Sequence, residues 1–304
     1  MLEYAMGWYD ENHEPYEKMT GKRLRPSLLL LINEVLGGSW EDALPAATAV
    51  ELLHNFSLIH DDIQDASEMR HNRLTVWKHW GIPNAINAGD AMFTLAYKAL
   101  SLLQGSVKDE TLISIWKIFN QTNIELTRGQ HLDMRFETLA VVEVDDYISM
   151  IKGKSAFLLA TCAQIGALIA GKEESVSQHL HDFGIAIGIA FQIRDDILGI
   201  WGDTHHIGKS TDSDILTKKK SLPILYALKR SNTLRDLYDK ESLDETDVAE
   251  VVDILNDLDI KEQTETLEKH YYEEALIALE QSKLDPAASQ KIMQFVDMLF
   301  DRSY

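Results

Sequence analysis

The chain is 304 residues long with 45% apolar side chains, enough to bury a large core. Its 6 prolines and 16 glycines are too few for a turn-rich β fold and favour long helices. Lys and Arg total 29 against 49 Asp and Glu, and the net charge of −20 argues against nucleic acid or an anionic membrane surface as a partner. The single cysteine, Cys162, can form no internal disulfide and lies in an apolar run, which fits a core position in a cytoplasmic protein.

The first residues, Met1-Leu-Glu-Tyr-Ala-Met, lack the basic and sustained apolar regions of a signal peptide. The longest apolar run, Ser155 to Ala170, is interrupted by Gln164. It is short for a membrane span and suits a buried helix, so no stable membrane insertion is expected.

In chain order, Gly21-Lys22-Arg23-Leu24-Arg25-Pro26 precedes an apolar helix expected from Ser27 to Leu36. Pro26 lies in its first turn and Gly37-Gly38 at its end. Cations at a helix start form an anion site with the free N–H groups, although the same pattern also fits a solvated basic turn.

A second helix is expected from Pro45 to Asp65, and its last turns carry His54, Asp61, Asp62 and Asp65. Asp61 and Asp65 fall about 6 Å apart on one face, with His54 on the same face. Two carboxylates at about 5 Å repel by about 3 kcal/mol at an effective dielectric near 20, and a hard divalent cation is the simplest remedy. A solvated helix end is the alternative. The loop that follows places Arg70, His71 and Arg73 directly after the acids, as phosphate binding requires. Surface ion pairs with Glu68 and Asp65 would use the same residues.

Helical patterns from Trp77 to Gln104 break at Gly81-Ile-Pro83, and Asp90 reads as structural. Leu112 to Arg135 is helical, and near its end Gly129, Gln130, His131 and Asp133 either face a cavity or are satisfied within the core. Lys152-Gly153-Lys154-Ser155 predicts a local break where backbone and lysine approach a ligand. Gly184 and Gly188 predict close helix packing. That helix ends in Gln192, Arg194, Asp195 and Asp196, a second acidic helix end.

At i, i+4 and i+8 from Asp195 stand Gly199 and Asp203, so this end is poorer in ligands. Two such faces can hold several Mg²⁺ ions with open positions, for which a diphosphate is the natural ligand. Lys218, Lys219 and Lys220 then offer a phosphate clamp or the solvent face of a helix start, and Thr233 to Tyr304 reads as helical scaffold.

Together these motifs resemble the trans-isoprenyl diphosphate synthases, or polyprenyl synthetases. The resemblance rests on Gly21–Pro26, Asp61-Asp-Ile-Gln-Asp65, Lys154-Ser155, Phe191–Asp196 and Gly208-Lys209 through Lys219–Pro223. It implies an all-α, single-domain helical bundle over 1–304 around a central cavity, acting as a homodimer. The bundle would condense isopentenyl diphosphate with an allylic diphosphate.

It further implies up to three Mg²⁺ ions, bound with the allylic diphosphate by Asp61, Asp65 and Asp195, with Asp62 and Asp196 in support. Arg70, Lys154, Lys209 and Lys219 would share the charge of that diphosphate. Lys22, Arg25 and His54 match positions that hold isopentenyl diphosphate, and Ser155 and Gln192 match those lining the reacting carbons.

Three positions depart from the family pattern. His71 stands where a second arginine is usual, which implies weaker or pH-dependent hold on isopentenyl diphosphate. Ser155 stands where Thr is commoner, and Gly199 where the second motif has its last acid. Phe56, about 7.5 Å deeper than Asp61, with the small Ser57 and no insertion between Asp62 and Asp65, resembles the C20, geranylgeranyl pattern. A C15 or C25 product, a class I terpene cyclase and a non-catalytic partner subunit are the other readings.

Overall fold

The structure is a computed structural model that describes residues 1–16, 23–139, 141–202 and 213–300, the side chain of Ser213 excepted. The described residues are 77% helical, and among them the only sheet is a two-stranded hairpin. No described helix is long and apolar enough to cross a membrane. Two compact units are formed, residues 1–121 with 161–178, and residues 122–160 with 179–304.

The first unit begins with α1 (Leu2–Ala5), α2 (Leu24–Val35) and α3 (Trp40–Gln64). A hairpin follows, made of β1 (Met69–Arg70) and β2 (Arg73–Leu74), and then α4 (Val76–Trp80) and α5 (Ile82–Ser101). α6 (Asp109–Thr138) starts in this unit and ends in the second. α3 packs on both α2 and α5. Leu28, Leu29, Ile32, Leu53 and Met92 are almost wholly enclosed, and side chains of this size contribute about 1.5–3 kcal/mol each on burial.

α2 starts earlier than its apolar run, with Pro26 in the first turn. α3 starts five residues before Pro45, since the lost proline N–H falls near the exposed beginning of the helix. The segment after Asp65, expected as a loop, is a hairpin whose central residues His71 and Asn72 both have positive φ, 50° and 59°. That is the requirement of a type I′ turn, which Asn and His tolerate better than most residues.

The second unit contains the end of α6, α7 (Val144–Ile151), a π-helical turn (Lys152–Ala156) and the start of α8 (Phe157–Ile169). It continues with most of α9 (Glu174–Trp201), then α10 (Ser213–Leu216), α11 (Leu222–Leu228), α12 (Asn232–Tyr238), α13 (Glu245–Asp257), α14 (Ile260–Gln281) and α15 (Pro286–Phe300). One apolar cluster joins Tyr147, Ile151, Ile189, Ile193, Ile197 and Leu225. Another joins Ile215, Ile224, Leu234, Val251, Leu255 and Ile260.

The break expected at Lys152–Ser155 is the π turn, and its cause is close backbone approach. A Cβ on Gly129 would lie 2.1 Å from Lys154 N, and one on Gly153 would lie 2.7 Å from Glu125 O. Gly184 and Gly188 likewise press α9 against Ala160 and Ala156.

Candidate functional site

In the first unit, α3 brings one face of charged and polar groups to its C-terminal end. Arg25, near the start of α2, donates through Nη1 to Nε2 of His54 at 3.2 Å. Loss of solvent around the ring, followed by the positive charges of Arg25, Arg70 and His71, holds His54 well below the usual histidine range. A cavity of about 320 Å³ is lined by Arg23, Arg25, His54, Asn55, Arg70 and His71, among others. Four arginines against Glu51 and Asp62 make it cationic within a chain of net charge −20, and its size is that of a small-molecule site.

Arg70 lies across the acids at the end of α3. Its Nε donates to both oxygens of Asp62, at 2.9 and 3.1 Å, and its Nη2 lies 3.4 Å from Asp61. Asp62 is buried, Asp61 is half-buried and Asp65, the C-cap, is exposed. Asp62, expected as a supporting metal ligand, therefore has both oxygens on Arg70. Arg73 is also placed differently from expectation. Its guanidinium donates to the carbonyls of Tyr4 and Tyr9 and sits over the rings of Tyr4 and Tyr16, so it fastens the N-terminal segment.

Asp61 and Asp65 fit Mg²⁺ as a donor set. They are hard oxygens one turn apart, and Mg²⁺ characteristically takes one or two carboxylates and completes its shell with water and phosphate oxygens. Among the described residues no group of three or more His, Cys, Asp or Glu side chains is gathered closely enough to form a protein cage.

About one turn deeper than Asp61 on α3, Ser57 Oγ donates to the carbonyl of His54 at 2.7 Å. Phe56 packs edge-on against His60 and at 5.0 Å from Phe93. Behind it the aromatic row continues through Tyr97 to Trp116 and Phe119. Phe93 and Tyr97 escaped the sequence reading, although their i, i+4 spacing on α5 is the signal that places them on one face.

In the second unit the π turn presents Lys154, whose Nζ donates to Asp133 at 2.5 Å, and Ser155, whose Oγ donates to Gln192 Oε1 at 2.9 Å. At the polar end of α6, Asp133 is thus held by Lys154, while Gly129 is buried and His131 is exposed. On α9, Asp195 is partly buried. Asp196 is buried and accepts hydrogen bonds from the Tyr147 hydroxyl and from Leu222 N, the latter at 2.8 Å. Burial pushes the Asp196 carboxyl up, against the pull of Lys219 and these two donors. Asp196, like Asp62, is directed to protein partners.

Burial disfavours the charge of Lys219, but Asp214, Asp196, Asp133 and Asp195 outweigh it and raise the ammonium above its ordinary range. Asp214 lies 3.6 Å from Lys219 Nζ, and its carboxylate would be 3.2 Å from a Cβ at Gly199. The space left by the missing acid of the second motif therefore borders a carboxylate from farther along the chain. Lys22, Lys209 and Asp203 lie outside the described residues.

A helical fold whose helix ends carry both cations and carboxylates is of the kind suited to anionic small molecules. The polyprenyl synthetase family model matches residues 7–255, and the chain belongs to that family. It is 41% identical over 228 residues to a (2E,6E)-farnesyl diphosphate synthase of Mycobacterium tuberculosis, covering 75% of this chain but only 62% of that protein. It is 35% identical over 286 residues to the geranylgeranyl diphosphate synthase of Methanosarcina mazei, covering 93% and 86%. The crystal structure of a polyprenyl synthetase from Streptomyces coelicolor matches with a TM-score of 0.91 at 32% identity, over 98% of this chain and 90% of that one.

Proposed function

We propose that the protein condenses isopentenyl diphosphate with an allylic diphosphate to give a short-chain trans-prenyl diphosphate, with the C20 geranylgeranyl product favoured. The observation that carries the reading is the cationic cavity around Arg25, His54, Arg70 and His71. A terpene cyclase has no second diphosphate to hold, and a non-catalytic partner subunit has no need of one. Several curated relatives are geranylgeranyl diphosphate synthases, and the farnesyl relatives keep C15 as the second product.

Isopentenyl diphosphate is assigned to that cavity, with Lys22 completing its set. The allylic diphosphate is assigned to Asp61 and Asp65 of α3 and to Asp195, Lys154 and Lys219 of the second unit, with Lys209 in support. Both sets belong to one reaction on this reading because the family match runs through both stretches. Mg²⁺, held by Asp61, Asp65 and Asp195, would neutralise charge on the departing diphosphate.

Asp62 orients Arg70, and Asp196 ties α9 to Tyr147 and the start of α11. The hydrogen-bonded pair Ser155 and Gln192 lines the reacting carbons. There the allylic C–O bond breaks, the alkene of isopentenyl diphosphate attacks the resulting cation, and a proton is lost to the released diphosphate. Preorganised positive charge and exclusion of water are what the chain supplies.

The proposal treats residues 1–304 as one catalytic domain working as a homodimer in the cytoplasm. Leu95, Leu102 and Ile113, all exposed in the first unit, support self-association, and the buried Cys162, whose thiol burial pushes up, fits the location. The test is an assay with Mg²⁺ and C5, C10 or C15 allylic diphosphates, with and without isopentenyl diphosphate. Elongated prenols formed only when it is present are expected, and hydrocarbons formed without it would identify a cyclase.

A further inference from the structure

Arg70 and Arg73 are direct partners across the hairpin, on either side of the two-residue turn His71-Asn72. Like charges so placed repel, and each is given partners of its own. Arg70 reaches Asp62 and Asp61 at the end of α3. Arg73 reaches the N-terminal segment, where Nη1 donates to the Tyr4 carbonyl at 3.1 Å and Nη2 to the Tyr9 carbonyl at 2.7 Å. Its guanidinium carbon lies 3.8 Å from the ring centre of Tyr4 and 4.4 Å from that of Tyr16.

The segment returns the contact. The Tyr4 hydroxyl donates to the carbonyl of Leu74, the residue after Arg73, at 2.7 Å, and the Tyr4 ring packs edge-on against Trp80. Beyond Tyr4 the chain closes on itself. Tyr16 N donates to the Trp8 carbonyl at 2.9 Å and Asp10 N to the Glu14 carbonyl at 2.8 Å, while Asp10 Oδ1 accepts from the N–H groups of Asn12 and Glu14. Residues 8–16 are therefore a compact loop with its ends together, and Arg73 fastens both ends, Tyr9 and Tyr16, to the hairpin.

The same segment is a wall. Tyr4 and Ala5 line the cationic cavity together with Arg25, His54, Arg70 and His71, whereas Tyr9 and Tyr16 are not among its lining residues. Arg73 borders the cavity too, but turning to a ligand would cost it two charge-assisted hydrogen bonds and its contacts with two rings.

We propose that Arg73 is a positioning residue for isopentenyl diphosphate. It holds residues 1–16 in place as a wall of the cavity and fixes the far side of the turn to which Arg70 and His71 belong, without touching the diphosphate itself. Binding groups hold a ligand well only when their own geometry is held, and a displacement of about 1 Å is costly. The proposal rests on the assignment of isopentenyl diphosphate to this cavity.

The test is calorimetric titration of isopentenyl diphosphate into the full chain in EDTA, which reads affinity and number of sites separately. Arg73→Ala should bind about tenfold more weakly. Arg73→Lys should lose about as much, because one ammonium cannot meet two carbonyls and pack flat on two rings. Tyr16→Ala, at a residue outside the cavity lining, should lose about threefold, and Arg73→Ala/Tyr16→Ala should be no weaker than Arg73→Ala alone.

Wild-type affinity in Arg73→Ala or in Tyr16→Ala overturns the proposal. So does wild-type affinity in Arg73→Lys, which would mark a charge contact with the ligand itself, and so does a loss confined to the number of sites, which would mark incomplete folding alone. A wild type that takes up no isopentenyl diphosphate removes the cavity assignment first and this proposal with it, an outcome distinct from the others.

Discussion

A guanidinium has no lone pair to offer, so His54 Nε2 must accept the hydrogen bond from Arg25, and the neutral ring carries its proton on Nδ1. Burial and the neighbouring cations lower the His54 pKa in the folded state, whereas the unfolded chain takes up a proton near pH 6.5. The sign follows from linkage: this contribution is fully present above about pH 6.5 and is lost as pH falls below it, at up to about 1.4 kcal/mol per pH unit. Chemical denaturation from pH 7.5 to 5 should therefore show the wild type losing stability faster than His54→Gln, and parallel curves would contradict a neutral His54.

Phe56 yields a second prediction at this scale. Phe56→Ala should shift products toward longer chains, read after dephosphorylation, and unchanged chain length would remove Phe56 as the floor. Phe93, 5.0 Å behind it, should limit the extension, so Phe56→Ala/Phe93→Ala should give still longer products.

The π turn at Lys152–Ala156 carries Lys154 and Ser155, two residues of the proposed reaction, and such turns recur at functional sites. Gly129 lets α6 approach its backbone so closely that a methyl group there would need Lys154 N to move. Gly129→Ala should cost about 1–3 kcal/mol by thermal or denaturant unfolding and lower kcat together with stability, since Lys154 and Ser155 ride on the displaced turn. Unchanged stability and turnover would show that the contact yields without consequence.

The glycine and flanking lysines made this break legible in the sequence, as did the acids at the ends of α3 and α9. The hairpin after Asp65 was not legible, because two-residue strands leave no alternation to read. The pairing of Asp133 with Lys154 and the partners Tyr147 and Asp214 were not legible either, since the first two act across 21 and 49 residues of sequence and Asp214 by a turn-scale fold-back onto Lys219.

At the scale of the whole molecule, a chain of net charge −20 nevertheless gathers Arg23, Arg25, Arg70 and Arg73 around His54 in one unit and sets Lys219 against Asp214 in the other. Self-association belongs to this scale as well. Sedimentation velocity should give a species of twice the 34.5 kDa chain mass, shifting toward that of the single chain when Leu102 and Ile113 are both changed to Asp.

The central claim is that one diphosphate is held by side-chain cations and the other through metal, and titration of isopentenyl diphosphate into metal-free protein tests it most directly. The expected result is binding in EDTA that weakens by about tenfold or more in Arg25→Ala, while binding of a non-reactive allylic diphosphate analogue appears only when Mg²⁺ is restored. Isopentenyl diphosphate binding that requires Mg²⁺, or that is unchanged in Arg25→Ala, would contradict it.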